Sequence, residues 1–195
     1  MIISFPPAAS ARPVYDNSAS TKGAYNGGSV TLTTAANATL IIYTQGGASS
    51  IPKIDGIDAT LLATFSSNTY RLWRSPIAGI TAGSHTITGT GDLNATAVGS
   101  YTGVTTVSGA AVSGLSGTTA FAVTPTGSGV VIVGAAFGTR IGDTGFVSNG
   151  TQRTLSRNTV PSTSGIVLTD SEIATQASFG ASSSGSWYIG AVWLS

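Results

Sequence analysis

The sequence contains no cysteine, which excludes a disulfide framework and any thiolate metal site and leaves the redox compartment open. Charge is scarce as well. Asp, Glu, Lys and Arg make up 8% of the 195 residues, with a formal balance of +1, where an ordinary soluble domain carries about 25%. Nucleic acid and anionic membranes are held by many clustered cations, so neither is expected as a partner. No apolar run approaches the roughly eighteen residues of a membrane helix. The start, MIISFPPAASARP, lacks a cationic n-region, and Pro6-Pro7 interrupts its apolar stretch, so it reads as a retained arm rather than a signal peptide.

What is abundant is hydrophobic (41%) or glycine (26 residues), with Ser and Thr filling most of the remainder. Val, Ile, Thr and aromatic residues broken by Gly every few positions argue for strands, not helices or disorder. The length suits one domain. The expected fold is therefore all-β, a single antiparallel β-sandwich over residues 14–195 preceded by an extended arm over residues 1–13. A mean hydropathy of +0.29 with almost no net charge predicts a protein that associates, a homo-oligomer included. Ile2, Ile3 and Phe5 of the arm are the expected contacts to a partner.

Along the chain, Leu40-Ile41-Ile42-Tyr43 reads as a strand covered on both faces. Asp55-Gly56 between alternating residues predicts a type I′ hairpin joining Ile51 to Ile54 with Ile57 to Phe65. Tyr70 to Val104 reads as three strands and two turns, the first of them, Tyr70-Arg71-Leu72-Trp73-Arg74-Ser75, with one packed and one wet face. Thr105 to Thr119, built of small residues, reads as a long surface loop, with a short edge strand as the alternative. Val130 to Phe137 reads as a central strand. Asn149-Gly150 predicts another hairpin turn, beside Arg140, Arg153 and Arg157. The C-terminal Ser186 to Leu194 must be paired in a sheet, and its even spacing puts Trp187 and Trp193 on the core side with Tyr188 on the wet side.

Catalytic chemistry finds little support. The one histidine, His85, lies on an alternating strand where an exposed polar position is the ordinary reading, and no G-x-S-x-G elbow accompanies it. Asp55, Asp92 and Asp143 are accounted for by turns, and Asp16, Asp58, Asp170 and Glu172 are scattered rather than paired. No EF-hand spacing occurs. The sequons at Asn37, Asn94 and Asn149 are ordinary products of a Ser/Thr-rich chain. No enzyme activity or cofactor is expected; loop carboxylates and carbonyls of a sandwich can converge on calcium from distant positions, and no residue is assigned to a metal.

Taken in order, SVTLTT, ATLIIYT, KIDGIDATLLATF, YRLWRSPIAGITAGSHTITGTG, AVGSYTGV, FAVTPTGSGVVIVGAAFG and SWYIGAVWLS resemble jelly-roll-like β-sandwich domains of minor tail and capsid-decorating proteins of tailed bacteriophages, especially those infecting actinobacteria. The resemblance covers nearly everything after the arm. It implies a non-enzymatic accessory structural protein on the surface of a phage particle, made in the host cytoplasm and bound to other capsid or tail proteins. The competing expectation is a carbohydrate-binding module for host cell-surface glycans, with exposed aromatics such as Tyr188 as its platform.

Overall fold

Alternating Thr and aliphatic residues become antiparallel strands, and the segments between them supply the turns. The structure, a computed structural model, describes residues 12–21, 29–47, 49–65, 69–76, 79–90, 93–116, 121–123, 131–139, 150–157, 164–171, 177–179 and 186–195. The first half of the chain runs through β1 (Val14–Ser20), β2 (Val30–Thr34), β3 (Thr39–Gly46), β4 (Ile51–Ile54), β5 (Ile57–Asp58), β6 (Thr60–Phe65), β7 (Tyr70–Arg74), β8 (Gly83–Thr90) and β9 (Leu93–Thr102). The second half adds β10 (Val107–Ser116), β11 (Phe121–Val123), β12 (Val131–Thr139), β13 (Thr151–Arg157), β14 (Ser164–Ser171), β15 (Ala177–Phe179) and β16 (Ser186–Leu194). No helix occurs among the described residues, so none is long and apolar enough to cross a membrane.

The strands form an all-β stack of antiparallel sheets. The middle sheet has the order β1-β9-β3-β7-β6, the front sheet β2-β8-β4-β5 and the back sheet β10-β16-β12-β14-β13, while β11 and β15 make a separate ribbon. Side chains on a strand point to opposite faces in turn, so the middle sheet supplies two cores at once. Ile41, Tyr43, Leu72, Ala97 and Tyr101 meet Val133, Ile166, Leu168, Val192 and Leu194 of the back sheet. Leu40, Ile42, Trp73 and Val98 meet Val30, Leu32, Ile54 and Ile87 of the front sheet. That is why every residue of β3 is buried. Both halves of its apolar run have a sheet to pack on, as the continuous run predicts.

The same layering alters the expectation for β7. Its pattern is buried at Arg71, Leu72 and Trp73, so it has no wet face: Leu72 belongs to one core and Trp73 to the other. The Asp55-Gly56 turn is as expected, with positive φ at both residues (49° and 87°). Its second strand, however, ends at Asp58. After Ala59 the chain leaves the front sheet, and β6 pairs with β7 in the middle sheet.

In the back sheet β12 is central, between β16 and β14, as its apolar sequence predicts. The small-residue stretch, read as a loop with a short edge strand as the alternative, is an edge strand of ten residues, β10, longer than that alternative and paired with β16 from Val107↔Leu194 to Ser116↔Ser186. The C-terminus is paired as required, and Ser195 closes it by backbone bonds with Thr106 (3.1 and 2.8 Å). The facing of β16 is the reverse of the expectation. Val192, Leu194 and Tyr188 pack into the core shared with the middle sheet, so Trp193 points to the other side of the back sheet, where it is half-buried.

Ile2, Ile3, Phe5, the Gly91-Asp92 turn, Asn149, Arg140, Asp143 and Glu172 lie outside the described residues.

Candidate functional site

The three stacked sheets have two rims of different character. At one rim the edge strands β1, β2 and β13 are tied together by short polar side chains. Asn17 Nδ2 donates to the Thr33 carbonyl (2.9 Å), Ser18 Oγ donates to the Arg153 carbonyl (2.9 Å), and the Ser20 and Thr154 hydroxyls bond at 2.8 Å. Asp16 accepts from the Ala35 amide and from Ser100 Oγ, both at 2.8 Å. Beneath this rim Arg153 donates through Nε to the buried Asp170 carboxylate (2.8 Å) and lies 3.9 Å from the centre of the Tyr15 ring. Burial works against the arginine's charge, but the bond to Asp170 outweighs it and raises its pKa. Burial, reinforced by Asp170, pushes the Tyr101 hydroxyl well above its ordinary value.

At the opposite rim β5 and β6 are edge strands of neighbouring layers. Here Ile57 is 50% and Leu61 48% exposed, and an edge strand leaves a row of backbone groups for another chain to pair with. The short β4–β5 hairpin stands at this rim between two hollows. One, of about 270 Å³, has apolar walls from Ile54, Ile57, Pro76 and Ile80. The other, of about 470 Å³, lies between Ile51, Asp58, Leu61 and Thr64 with Arg71 and Trp73 behind. Lys53 and Asp58 form a cross-strand ion pair on the hairpin.

His85 anchors the hairpin from β8. The ring is only 7% exposed, a correction to its expected place on a wet face: it shares a strand face with Ile87, and that face is turned inward. Its Nδ1 lies 2.6 Å from Asp55 Oδ2 and its Nε2 lies 2.9 Å from the Thr81 carbonyl. Asp55 Oδ1 accepts from the Thr86 amide (2.8 Å), and the Asp55 amide donates to the Thr86 carbonyl (2.9 Å). The bond to Asp55 raises the histidine's pKa against the opposing effect of burial. The Thr86 amide, followed by His85, lowers that of Asp55.

This arrangement does not prepare a general base, because both ring nitrogens face oxygen acceptors and neither offers a lone pair to a substrate. Among the described residues no group of three His, Asp or Glu side chains could hold a metal ion. Arg71 is equally committed, donating to the Ser50 (3.0 Å) and Gly47 (3.1 Å) carbonyls beside Trp73, and burial lowers its pKa. Trp73 itself is 4% exposed and donates through Nε1 to Thr44 Oγ1 (2.9 Å). Tyr188, the aromatic expected to face a sugar, stacks on Tyr70 with centroids 4.3 Å apart.

Sequence reasoning explained Asp55 by its turn and His85 by strand alternation, and so missed that they meet. Only the register Ile54↔Ile87 between β4 and β8 brings them together.

The fold and this rim define an all-β, stacked-sheet protein with an exposed apolar edge. Comparison with protein-family models, with curated proteins and with solved structures finds no match for the chain, so the phage resemblance stands on the sequence motifs alone.

Proposed function

We propose that the chain is a non-enzymatic structural protein that assembles through its β5–β6 rim with further copies of itself and with neighbouring proteins of a phage particle, as a capsid decoration or minor tail component. The observation that carries the assembly reading is the contrast between the rims. One is laced by side-chain bonds to edge carbonyls and exposes a single large apolar side chain among the described residues, Val14 at the start of β1, while the other presents Ile57 and Leu61 half-exposed on adjacent edge strands. Natural sheets blunt free edges with charge, proline or cover, and β6, Thr-Leu-Leu-Ala-Thr-Phe, carries no charge or proline. The near-zero net charge leaves no repulsion to keep copies apart. The virion assignment is supported by the resemblance of the strand motifs.

The test is sedimentation of the full chain and of the Ile57→Asp/Leu61→Asp variant over a concentration series, followed by incorporation into particles. The wild type is expected to associate and the variant to sediment as a monomer and fail to incorporate. A wild type that is monomeric at every concentration, or a variant incorporated at wild-type level, overturns this reading. Glycan binding is the second reading, and the Tyr188 ring, its expected platform, is stacked on Tyr70. Retention of the isolated protein on purified host envelope, lost in Tyr188→Ala, would reverse that preference.

A further inference from the structure

We propose that His85 and Asp55 form a proton-dependent latch, which clamps the β4–β5 hairpin against β8 while the imidazole is doubly protonated and loosens it when that proton leaves. Only the consequence for assembly rests on the function proposed above; the latch itself rests on geometry. A carboxylate and a backbone carbonyl can only accept hydrogen bonds. Asp55 Oδ2 stands at Nδ1 and the Thr81 carbonyl at Nε2, so both nitrogens must carry hydrogen and the ring is an imidazolium. A neutral ring keeps one hydrogen. Whichever nitrogen holds it, the other turns a lone pair on an oxygen less than 3 Å away, and one of the two contacts is lost.

Among the described residues the charges around the ring are few. Leu32 of β2 lies opposite His85 in the sheet, and β2 contains no titratable residue. Gly79, Ile80 and Thr81, which share the hollow with the ring, contribute none. The hairpin contributes Asp55, whose charge acts directly on the ring, while Lys53 and Asp58 pair with each other. Asp55 is also a turn residue with positive φ, and the same carboxylate holds the Thr86 amide. With a neutral ring Asp55 is still held by Thr86 through its carboxylate and its amide, so loss of the proton weakens, without releasing, the clamp on the residue that shapes the turn, two positions before Ile57 at the proposed assembly edge.

The direction follows from the two shifts. The histidine is raised, so its contribution is complete below its ordinary pKa of about 6.5 and disappears as pH rises through the folded-state value. The carboxylate is lowered, so its contribution is present above its ordinary 3.8 and disappears as pH falls through the lowered value. The latch is closed between those two folded-state values and opens on either side.

The chain has a single histidine, so one imidazole signal in the NMR spectrum of the full protein reports the latch without assignment. The wild type is expected to titrate above the free-histidine value, and Asp55→Asn to bring the midpoint down. Protection of the Asp55 and Thr86 amides, corrected for intrinsic exchange, should fall about tenfold per pH unit between the unfolded and folded values of the histidine. A midpoint at or below the free value, or amide protection indifferent to the titration, overturns the latch, and the wild-type measurement suffices if Asp55→Asn does not fold. Repeating the titration on Leu61→Asp alone, which adds no charge to the hollow around the ring, separates the two readings. A latch that titrates normally in that variant stands even if the rim never associates, whereas association with a flat protection profile overturns the latch alone.

Discussion

Among the described residues one histidine, one arginine and one aspartate on strands are buried, and each is held inside by a named partner. His85, Arg71 and Asp170 are 7%, 5% and 1% exposed. A buried charge is tolerated only when paired and hydrogen-bonded. Arg71 answers this with two loop carbonyls, which pins the segment between β3 and β4. Asp170 answers it with Arg153, whose guanidinium also covers the Tyr15 ring and so joins β13 and β14 of the back sheet to β1 of the middle one. Replacing Arg153 by Met keeps much of the apolar contact but leaves a buried carboxylate without its cation. The expected loss is about 3–5 kcal/mol, measured by urea unfolding. Arg71→Met removes donors from two carbonyls, and a smaller loss of about 2–3 kcal/mol is expected. A loss below 1 kcal/mol for Arg153→Met would mean that water readily reaches Asp170.

Strands that announce themselves through bulky residues were legible, and strands that depend on a distant neighbour were not. The continuous apolar run of β3 and the Asp55-Gly56 turn carry their own signal. The sequence of β10, Val-Ser-Gly-Ala-Ala-Val-Ser-Gly-Leu-Ser, has too few large side chains to alternate visibly, and it becomes a strand because β16 has an edge to offer it. The facing of β16 was misread because two tryptophans outweigh Val192 and Leu194 in any reading by size. Periodicity also cannot count layers, so Arg71 looked wet until a front sheet lay over it.

Turn glycines separate the two costs of adding a side chain. At Gly56 (φ +87°) a Cβ would meet nothing within 4 Å, so Gly56→Ala should cost only the left-handed backbone term of about 1–2 kcal/mol. At Gly79 (φ +89°) the Cβ would stand 2.9 Å from Asn37 Cα, where Asn37 is held in a tight turn by its amide bond to Ile80 (2.8 Å). Gly79→Ala should therefore be the more destabilising of the pair, as thermal melts of the two variants would read. Equal losses would show that the Asn37 turn moves aside freely.

In the whole molecule, the middle sheet has no face of its own to give to water. Leu40 and Ile42 pack forward while Ile41 and Tyr43 pack back, so one strand serves both cores and neither core can come apart without loosening the strand that lines the other. Chain order alone would suggest two units, because the front and middle sheets use only residues before Gly103 and the back sheet only residues after it. The contacts argue for one. Tyr43 of β3 donates its hydroxyl to the Tyr188 carbonyl (2.9 Å), and Leu168, Val192 and Leu194 are fully buried in the core they share with the middle sheet. Calorimetry is expected to show a single endotherm. Leu168→Ala, in the back core, and Ile87→Ala, in the front core, each remove about 2–5 kcal/mol and should lower that same endotherm by roughly 5–15 °C. Two endotherms, with Leu168→Ala moving one and Ile87→Ala the other, would show instead that the front and back cores melt independently and that the middle sheet stays folded on one face alone.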